Sequence, residues 1–371
     1  MKKIFSIILF STITISLMYY SSISRAQKQI GSATIDSSKG LKDFYKKYFP
    51  VGVAVTPFNL SGDEAQLILK QFNSLTPENA MKMAPIHPEE NRYYWKDADS
   101  IVYFAQRHGL KVRGHNLCWH NQTPRWLFKD SSGKNVSKEV LLQRLKDHIT
   151  TVVSRYKGKI YVWDVVNEAV SDSPSEYLRN SLWYQICGED FIIKAFEYAH
   201  EADPDALLFY NDYNEINPVK REKIYKLVKS LKDAGVPIYG VGLQGHWSIY
   251  EPGKGQLDST ISRFASLGLK VQITEMDISV YPKEHNHRER KPEDASDTFT
   301  PEQEQKQIEM YKMCFEVFRK YKNVLSGITF WNISDRHSWL DNFPVTGRKD
   351  YPLLFDKDLK PKKAYWDVIG F

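Results

Sequence analysis

The stretch YVWDVVNE (161–168) begins as an apolar run and ends on an amide and a carboxylate, Asn167 and Glu168. A near-continuous apolar run is typical of a parallel β-strand that is covered on both faces. Its polar ending has two interpretations: the chain is reaching solvent, or the strand presents a proton donor to a ligand. The other apolar runs of the chain distinguish between them.

Seven further short apolar runs are separated by amphipathic segments. The full set of eight is 51–57, 72–79, 111–119, 161–168, 207–214, 239–247, 270–278 and 327–334. Between them, 140–156 and 220–235 have apolar residues at helical spacing, and the second ends on a C-capping glycine. Strands that alternate with helices in this number predict a single α/β catalytic domain with a closed (β/α)8 TIM barrel. An open doubly wound sheet is the main structural alternative, but no glycine-rich phosphate loop follows the first run.

Nearly every run ends in polar or indole side chains that a plain core would not select. These are Glu78, Asn79 and Lys82; His115 and Trp119; Asn167 and Glu168; Asn211 and Asp212; Gln244 and His246; Glu275 and Asp277; and Trp331. In a (β/α)8 barrel the C-terminal strand ends converge on one face, where the active site lies. Any one of these residues is explained as a hydrogen-bonded strand terminus. The repetition over about seven strands favours a functional site.

Two carboxylates are candidates for catalysis: Glu168 at the end of the fourth strand and Glu275 at the end of the seventh. Strands four and seven lie on opposite sides of such a barrel, so the two groups can face each other across its mouth. A separation of ~5–5.5 Å lets one carboxylate attack an anomeric carbon while the other protonates the leaving oxygen, which is the retaining arrangement; a wider gap admits water and implies inversion.

A nucleophile must stay ionised while the acid stays protonated, so their environments must separate the two pKa values. Asp277 follows Glu275 by two positions on the same face of its strand, and His246 ends the adjacent sixth strand. A hydrogen-bonded chain of Glu275, His246 and Asp277 would keep the nucleophile charged, whereas Glu168 has no obvious cation beside it. The alternative for His246 is a core histidine.

These motifs give the chain a family resemblance. From about residue 40 to the C-terminus it resembles glycoside hydrolase family 10, the endo-β-1,4-xylanases. The motifs that carry the resemblance are LTPENAMK, VRGHNLCWH, WDVVNEA, FYNDYN, LQGHW, ITEMDI and WNISDRHSW, in the expected order. The resemblance implies an endo-1,4-β-xylanase that cleaves internal bonds of xylan by a retaining double displacement.

The resemblance also implies roles for individual residues. Glu168 would be the acid/base and Glu275 the nucleophile. The implied sugar contacts are Asn167 at the 2-hydroxyl, His115, Gln244 and Lys82 at neighbouring hydroxyls, Glu78 and Asn79 in the next glycone subsite, Trp119, Trp331 and Trp339 as aromatic walls, and Tyr213 on the leaving-group side. The chain departs from the family pattern at Asn332, where many relatives have glycine. This departure leaves catalysis intact and bears on the local backbone and the shape of the subsite.

The N-terminus indicates export. Residues 1–26 contain two lysines, an apolar run from Ile4 to Tyr20, and small residues at Ser24 and Ala26, which is the pattern of a signal peptide. A membrane anchor is the alternative. We expect signal cleavage, a catalytic domain over 36–371, no membrane contact after cleavage, and secretion or a periplasmic location.

Charge and cysteine content restrict the partners. Removal of Lys2, Lys3 and Arg25 with the signal reduces the 51 basic residues to 48, against 45 acidic residues. This balance does not favour a nucleic-acid binder. Cys118, Cys187 and Cys314 are widely spaced and predict buried thiols rather than disulfides or a metal site. We expect no metal and no cofactor, a monomer, and xylan or xylo-oligosaccharide as the partner.

Other chemistries find little support in the chain. It has no GxSxG elbow, no HExxH pair and no GxxxxGK[ST] loop, so serine esterases, zinc proteases and P-loop enzymes are disfavoured. The charged segment 281–302 has histidines that suit a metal, but a solvated loop beside the cleft is favoured. Two alternatives remain open: a related barrel that cleaves β-1,4-glucan or mixed-linkage glucan, and a catalytically silent carbohydrate-binding barrel. The presence of both Glu168 and Glu275 argues against the second.

Overall fold

The structure is a computed structural model that describes residues 36, 38–284, 286–294 and 297–371. The predicted signal peptide, residues 1–26, lies outside the described residues. Lys39–Phe371 forms one compact unit. Within the described ranges, no helix has both the length and the apolar character needed to cross a membrane.

The described part of the chain alternates between strands and helices. The strands are β1 Val51–Val55, β2 Ser74–Pro77, β3 Lys111–Trp119, β4 Val162–Asn167, β5 Leu207–Asp212, β6 Gly240–Leu243, β7 His246–Ser248, β8 Lys270–Ser279 and β9 Leu325–Phe330. The helices are α1 Leu41–Phe44, α2 Gly62–Gln71, α3 Met83–Ile86, α4 Lys96–Arg107, α5 Lys138–Arg155, α6 Leu182–Cys187, α7 Asp190–Ala202, α8 Pro218–Asp233, α9 Lys254–Ala265, α10 Pro301–Lys320 and α11 Lys363–Ile369. Short 3-10 turns lie between them.

Eight of the strands close into a parallel barrel, in the order β1, β2, β3, β4, β5, β6, β8 and β9. β9 pairs with β1, and β6 pairs directly with β8, with Gly240 opposite Lys270. The predicted (β/α)8 barrel is therefore confirmed. The strands are buried along nearly their whole length, which explains why they are apolar runs rather than alternating ones.

The sixth and seventh strand predictions need correction. The run 239–247 breaks at Gln244 and Gly245, and β7 follows as a short strand outside the barrel. β7 pairs in parallel with Asp277–Ser279, so the hydrogen bonding of β8 continues beyond the barrel wall. The prediction that Glu275 ends its strand is therefore wrong: Glu275 lies inside β8 and reaches the cleft from within the strand.

The helices begin where capping chemistry predicts. The side chain of Asn217 accepts the amide of Val219 at 2.9 Å before Pro218 starts α8, and Thr300 and Gln303 exchange side-chain to backbone hydrogen bonds at the start of α10. The predicted helices 140–156 and 220–235 correspond to α5 and α8. Gly235 adopts a φ of 72° after α8, as a left-handed C-terminal position requires.

The barrel interior contains a buried ion pair below the catalytic face. Arg113 of β3 pairs with Asp164 of β4, and its Nε donates to Gln272 of β8 at 2.9 Å, which bridges the barrel. All three side chains are buried. On the same strand Gly114 admits the indole of Trp163, since a Cβ at residue 114 would lie 2.1 Å from the ring.

Candidate active site

A cleft of about 550 Å³ opens at the C-terminal ends of the barrel strands. Every residue that the sequence predicted for the site lines it: Glu78, Asn79, Lys82, His115, Trp119, Asn167, Glu168, Tyr213, Gln244, His246, Glu275, Asp277, Trp331 and Trp339. These residues come from eight separate segments of the chain. The barrel brings them together because the ends of parallel strands meet on one face.

Glu168 follows β4 in a left-handed backbone conformation, with a φ of 56°. Its amide donates to the carbonyl of Asn211 at 2.9 Å, and its carbonyl accepts Nε of Arg179 at 3.1 Å. Its carboxylate accepts Nε2 of Gln244 at 2.9 Å and the indole of Trp119 at 2.8 Å. Main chain and side chain are therefore both fixed, and the carboxyl group projects into the cleft.

The surroundings of Glu168 favour its protonated form. Burial raises the pKa of its carboxyl group, and the nearby charges of Asp212 and Glu275 add to this, against the hydrogen bonds from Gln244 and Trp119. The two donors that touch it are neutral, so they stabilise the carboxylate less than a cation would. A buried carboxyl group with a raised pKa suits a general acid.

Glu275 has the opposite environment. Its Oε1 accepts Nδ2 of Asn211 at 2.8 Å and lies 4.0 Å from Nδ1 of His115, and its Oε2 lies 3.2 Å from Nε2 of His246. Burial opposes ionisation of Glu275, but His115, His246 and Lys82 together outweigh it and lower the pKa of Glu275 to about 2. This environment favours the carboxylate form of Glu275.

A chain of hydrogen bonds continues behind Glu275. Nδ1 of His246 lies 2.9 Å from Oδ2 of Asp277, and the same oxygen accepts the indole of Trp339 at 2.7 Å. Burial alone would lower the pKa of His246, but Asp277 and Glu275 reverse this and raise it to about 10. His246 is therefore a cation between two carboxylates and holds both in place.

Two strands lie between the strands that bear Glu168 and Glu275, and their side chains link the carboxylates. Asn211 at the end of β5 donates to Glu275 and to Oδ1 of Asn167, both at 2.8 Å. Gln244, after β6, donates to Glu168 and lies 3.4 Å from the same Asn167 oxygen. The amides set the spacing of the two acids.

His115 is supported from below by the buried ion pair of the barrel. Its Nδ1 lies 2.7 Å from Oδ2 of Asp164, which is paired with Arg113. Its ring also lies edge-on to Trp331, with centroids 5.3 Å apart. This fixes the imidazole beside Glu275.

Lys82 lies in the polar floor of the cleft. Its Nζ donates to Oδ1 of Asn79 at 2.9 Å and lies 5.0 Å from the ring of Trp119 and 5.8 Å from that of Trp331. Burial lowers its pKa, while Glu275 and the neighbouring acids oppose the shift. The ammonium group therefore lies near two indole rings at the lining of the cleft.

The aromatic wall is built around Trp339. Its ring stacks on Phe343 with centroids 5.4 Å apart and packs against His246 at 4.9 Å. Trp331 is almost completely buried between His115 and Lys82. Trp339 is only partly buried, so it presents more ring surface to the cleft than Trp331 does.

Tyr213 lies at the other end of the cleft. Its hydroxyl contacts Asp172 and accepts Nη2 of Arg179 at 3.0 Å, and Lys220 lies 4.4 Å from its ring. Tyr213 and Arg179 also line a second cleft of about 690 Å³. The two clefts therefore meet at this pair.

Several residues of the site were not among the predicted ones. Arg179 and Phe343 line the cleft, and Asp164 and Arg113 support His115 from below. Asn211 was noted only as a polar strand end, although its side chain donates to both Glu275 and Asn167. The sequence did contain a signal for Arg113 and Asp164, since each is a charged residue within an apolar run. A buried charge requires a partner, so two such residues predict an ion pair.

The segment 281–302 borders the cleft through Pro282, Lys283 and Glu284. Arg288 and Arg348 both pair with Glu284, which ties this segment to the chain after Phe343. Across the ranges covered by the structure, no three histidine, cysteine or acidic side chains are grouped as a metal site would require.

Comparison with known proteins places these observations in a family context. The family model "Glycosyl hydrolase family 10" matches residues 40–370. The "Beta-1,4-xylanase" of Dictyoglomus thermophilum is 53% identical over 333 residues, which are 89% of this chain and 90% of that protein. The "Endo-1,4-beta-xylanase" of Geobacillus stearothermophilus is 50% identical over 336 residues, 90% of this chain and 99% of that protein. A solved mutant structure in complex with xylotriose is 47% identical, with a TM-score of 0.85 and coverage of 90% of this chain and 99% of that one.

Proposed function

The chain belongs to glycosyl hydrolase family 10 and is an endo-1,4-β-xylanase of the retaining type, and from this premise we propose that Glu275 is its nucleophile and Glu168 its acid/base. The observation that carries the proposal is the contrast between the two environments. Glu275 faces the His246 cation and has a pKa of about 2, while burial among neutral donors raises the pKa of Glu168. Two carboxyl groups with separated pKa values are what a double displacement needs.

In the first step, Oε of Glu275 attacks the anomeric carbon and its electron pair forms the ester bond. The glycosidic bond breaks, and its electron pair leaves with the oxygen, which takes the proton of Glu168. Nδ1 of His115 lies 4.0 Å from Glu275, and Asn167 accepts from the same Asn211 amide as Glu275. His115 and Asn167 are the proposed contacts to hydroxyls of the sugar at the cleavage point. Since Asn211 already holds one oxygen of Glu275, the attacking group needs little reorganisation.

In the second step, Glu168 acts as the base. The charge of Glu275 disappears when the ester forms, and that charge is one of the causes that raise the pKa of Glu168. The pKa of Glu168 therefore falls as the intermediate forms, and the carboxylate can take a proton from water. The water oxygen attacks the anomeric carbon, the ester bond breaks, and Glu275 is released as an anion.

We propose that the substrate chain runs across the cleft from Glu78 to Tyr213. Glu78, Asn79 and Lys82 supply hydroxyl contacts on the glycone side, with Trp119, Trp331 and Trp339 as the walls. Tyr213 lies where the leaving group departs. The substrate is supported by relatives that are named as xylanases and by a xylotriose complex of a structure that is 47% identical.

The export and assembly state are also proposals. The residue pattern of 1–26 supports a cleaved signal and a secreted or periplasmic enzyme, and a cleft formed within one chain supports a monomer. Sequencing of the mature N-terminus after expression in an exporting host tests the first proposal. Light scattering at micromolar concentration tests the second, and a dimer mass would contradict it.

The assignment is tested with xylan and carboxymethyl cellulose in parallel. Release of reducing ends from xylan, with β-anomer products at early times by proton NMR, is the expected result. Activity on cellulose alone would favour the glucanase alternative, and an α-anomer product would contradict the nucleophilic role of Glu275. A protein that binds xylan without cleaving it would be the silent barrel.

A further inference from the structure

Asn332 has a backbone conformation that asparagine rarely adopts. It follows β9 and Trp331, and its φ is 107°. This value lies beyond the left-handed region that non-glycine residues ordinarily visit. The residue is only 8% exposed and does not line the cleft itself. A buried residue that keeps such a conformation requires a compensating interaction.

The side chain of Asn332 provides that interaction. Its Nδ2 donates to Oε2 of Glu78 at 2.9 Å, across 254 positions of sequence. A carboxylate only accepts, so the amide must turn its nitrogen toward Glu78. Its Oδ1 is then left buried, with no hydrogen-bond partner among the residues that the structure describes. The contact with Glu78 therefore accompanies a strained backbone at Asn332.

Glu78 is the acidic member of the polar floor. Its other oxygen, Oε1, is held by Nδ2 of Asn79 at 3.2 Å, and Asn79 in turn holds Lys82. Asn79 is exposed, whereas Asn332 is buried. Glu78 is thus held by one buried partner, Asn332, and by one exposed partner, Asn79.

We propose that Asn332 is a positioning residue that strengthens binding of the second glycone sugar by fixing the Glu78 carboxylate. This inference rests on the proposed role of Glu78 in the second glycone subsite. Because Asn332 holds Oε2, the Glu78 carboxylate keeps one orientation. Its two oxygens can then accept hydrogen bonds from the hydroxyls of the second sugar in a fixed geometry. Glycine at this position would relieve the backbone strain and remove the hydrogen bond to Glu78. Glu78 would then keep only its contact with Asn79.

The test compares substrates with one and two glycone sugars. The values of kcat/KM are measured for an aryl β-xyloside and an aryl β-xylobioside with the parent enzyme and with Asn332→Gly. Glycine accepts the local φ, so this variant folds. We expect the ratio of xylobioside to xyloside to fall about fivefold to tenfold, through KM of the xylobioside, because a hydrogen bond to a charged group is lost. The xyloside values stay near those of the parent.

Two further variants separate the explanations. Leu359→Gly relieves another positive φ, of 64°, in a turn remote from the cleft, and should leave the ratio unchanged. Glu78→Gln tests the subsite itself and should lower the same ratio. In the double variant with Asn332→Gly, the ratio should fall little further than in Glu78→Gln alone. If Glu78→Gln lowers the ratio and Asn332→Gly does not, the positioning role is overturned while the subsite stands. If neither variant changes the ratio, both the subsite role of Glu78 and the role of Asn332 are overturned.

Discussion

The indole nitrogen of Trp339 donates to Oδ2 of Asp277 at 2.7 Å. That oxygen also holds His246, which holds Glu275. The aromatic wall and the support of Glu275, the proposed nucleophile, are therefore one hydrogen-bonded unit. A change in the wall that removes the indole nitrogen also removes a donor from the carboxylate that keeps His246 charged. A substitution of Trp339 therefore changes both the surface of the cleft and the charge of His246.

Loss of Glu275 should abolish turnover. Glu275→Ala removes the proposed nucleophile, and we expect kcat to fall by about 10⁴-fold or more on xylan and aryl xylosides alike. Azide fits the space left by the side chain and should restore release of the aglycone, with an α-xylosyl azide as product. Activity that persists without azide would show that another group is the nucleophile.

Loss of Glu168 should depend on the leaving group. An acidic phenol departs without protonation, so Glu168→Ala should form the intermediate quickly with an activated aryl xylobioside and then hydrolyse it slowly. With xylan, we expect a loss of about 10²- to 10⁴-fold, the usual contribution of a general acid. A burst of phenol in stopped-flow absorbance is the measurement. Equal losses on both substrates would contradict the acid/base role.

Asp277→Asn should move the acid limb of the pH profile. Asp277 is the main cause that raises the pKa of His246 against its burial, so its neutralisation lowers the pKa of His246. A neutral His246 stabilises the Glu275 anion less, and the pKa of Glu275 rises. The acid limb of kcat/KM should therefore shift to higher pH. Asp203→Asn, at a buried carboxylate after α7, is the matched control, and an unchanged limb in both variants would exclude the relay.

The same groups predict two windows of stability. The pKa of Glu275 is depressed to about 2, so its contribution to folding is present above its ordinary value of 4.5 and is lost as the pH falls toward 2. The pKa of His246 is raised to about 10, so its contribution is complete below 6.5 and is lost as the pH rises toward 10. The measurement is the free energy of urea unfolding from pH 6 to pH 10. In Asp277→Asn, most of the stability that His246 contributes in the lower part of this range should be absent.

A buried histidine pair should make the fold sensitive to mild acid. Nδ1 of His87 lies 3.1 Å from Nδ1 of His148, and burial lowers the pKa of His148 to about 3. The unfolded chain takes up a proton below pH 6.5 while the folded chain does not. The free energy of unfolding should therefore fall by about 2 kcal/mol between pH 7 and pH 5 from this group alone. The glutamine of His148→Gln cannot titrate, so in urea unfolding the free energy should depend less on pH between 5 and 7. An unchanged pH dependence would show that His148 is not the group responsible.

The sequence predicted what local patterns encode. The barrel was predicted from the apolar runs, the helix-capping residues and the polar strand ends. The hydrogen-bonded chain with His246 was predicted from the spacing of Glu275 and Asp277. The contacts that it missed join distant segments: Asn332 with Glu78, and Arg113 with Asp164 and Gln272. Such pairs have no periodicity, because each depends on barrel closure rather than on neighbours in sequence. β7 was missed for the same reason, since it pairs with the far end of β8.

Preference for pentose over hexose in the glycone subsites should depend on the ring of Trp339. Xylose lacks the hydroxymethyl group on C5 that glucose carries, and a bulky indole placed against that position excludes glucose while it packs on xylose. The contacts proposed for Glu78, Asn79 and Lys82 are to hydroxyls that both sugars share, so these residues should not discriminate between xylose and glucose. Trp339→Ala should weaken xylan hydrolysis and narrow the gap between xylosides and glucosides by about 1–3 kcal/mol in transition-state binding.

The hydrogen bond from Trp339 to Asp277 requires a second variant in this experiment. Trp339→Phe keeps a ring of reduced size and loses the indole nitrogen, so it should disturb the pH profile while it preserves most of the sugar preference. Trp339→Ala should disturb both. The measurement is kcat/KM for aryl β-xylobioside and aryl β-cellobioside as a function of pH with each enzyme. If the ratio of the two substrates stays at the parent value in Trp339→Ala, the ring is a support for Asp277 alone, and another wall of the cleft must exclude the hydroxymethyl group.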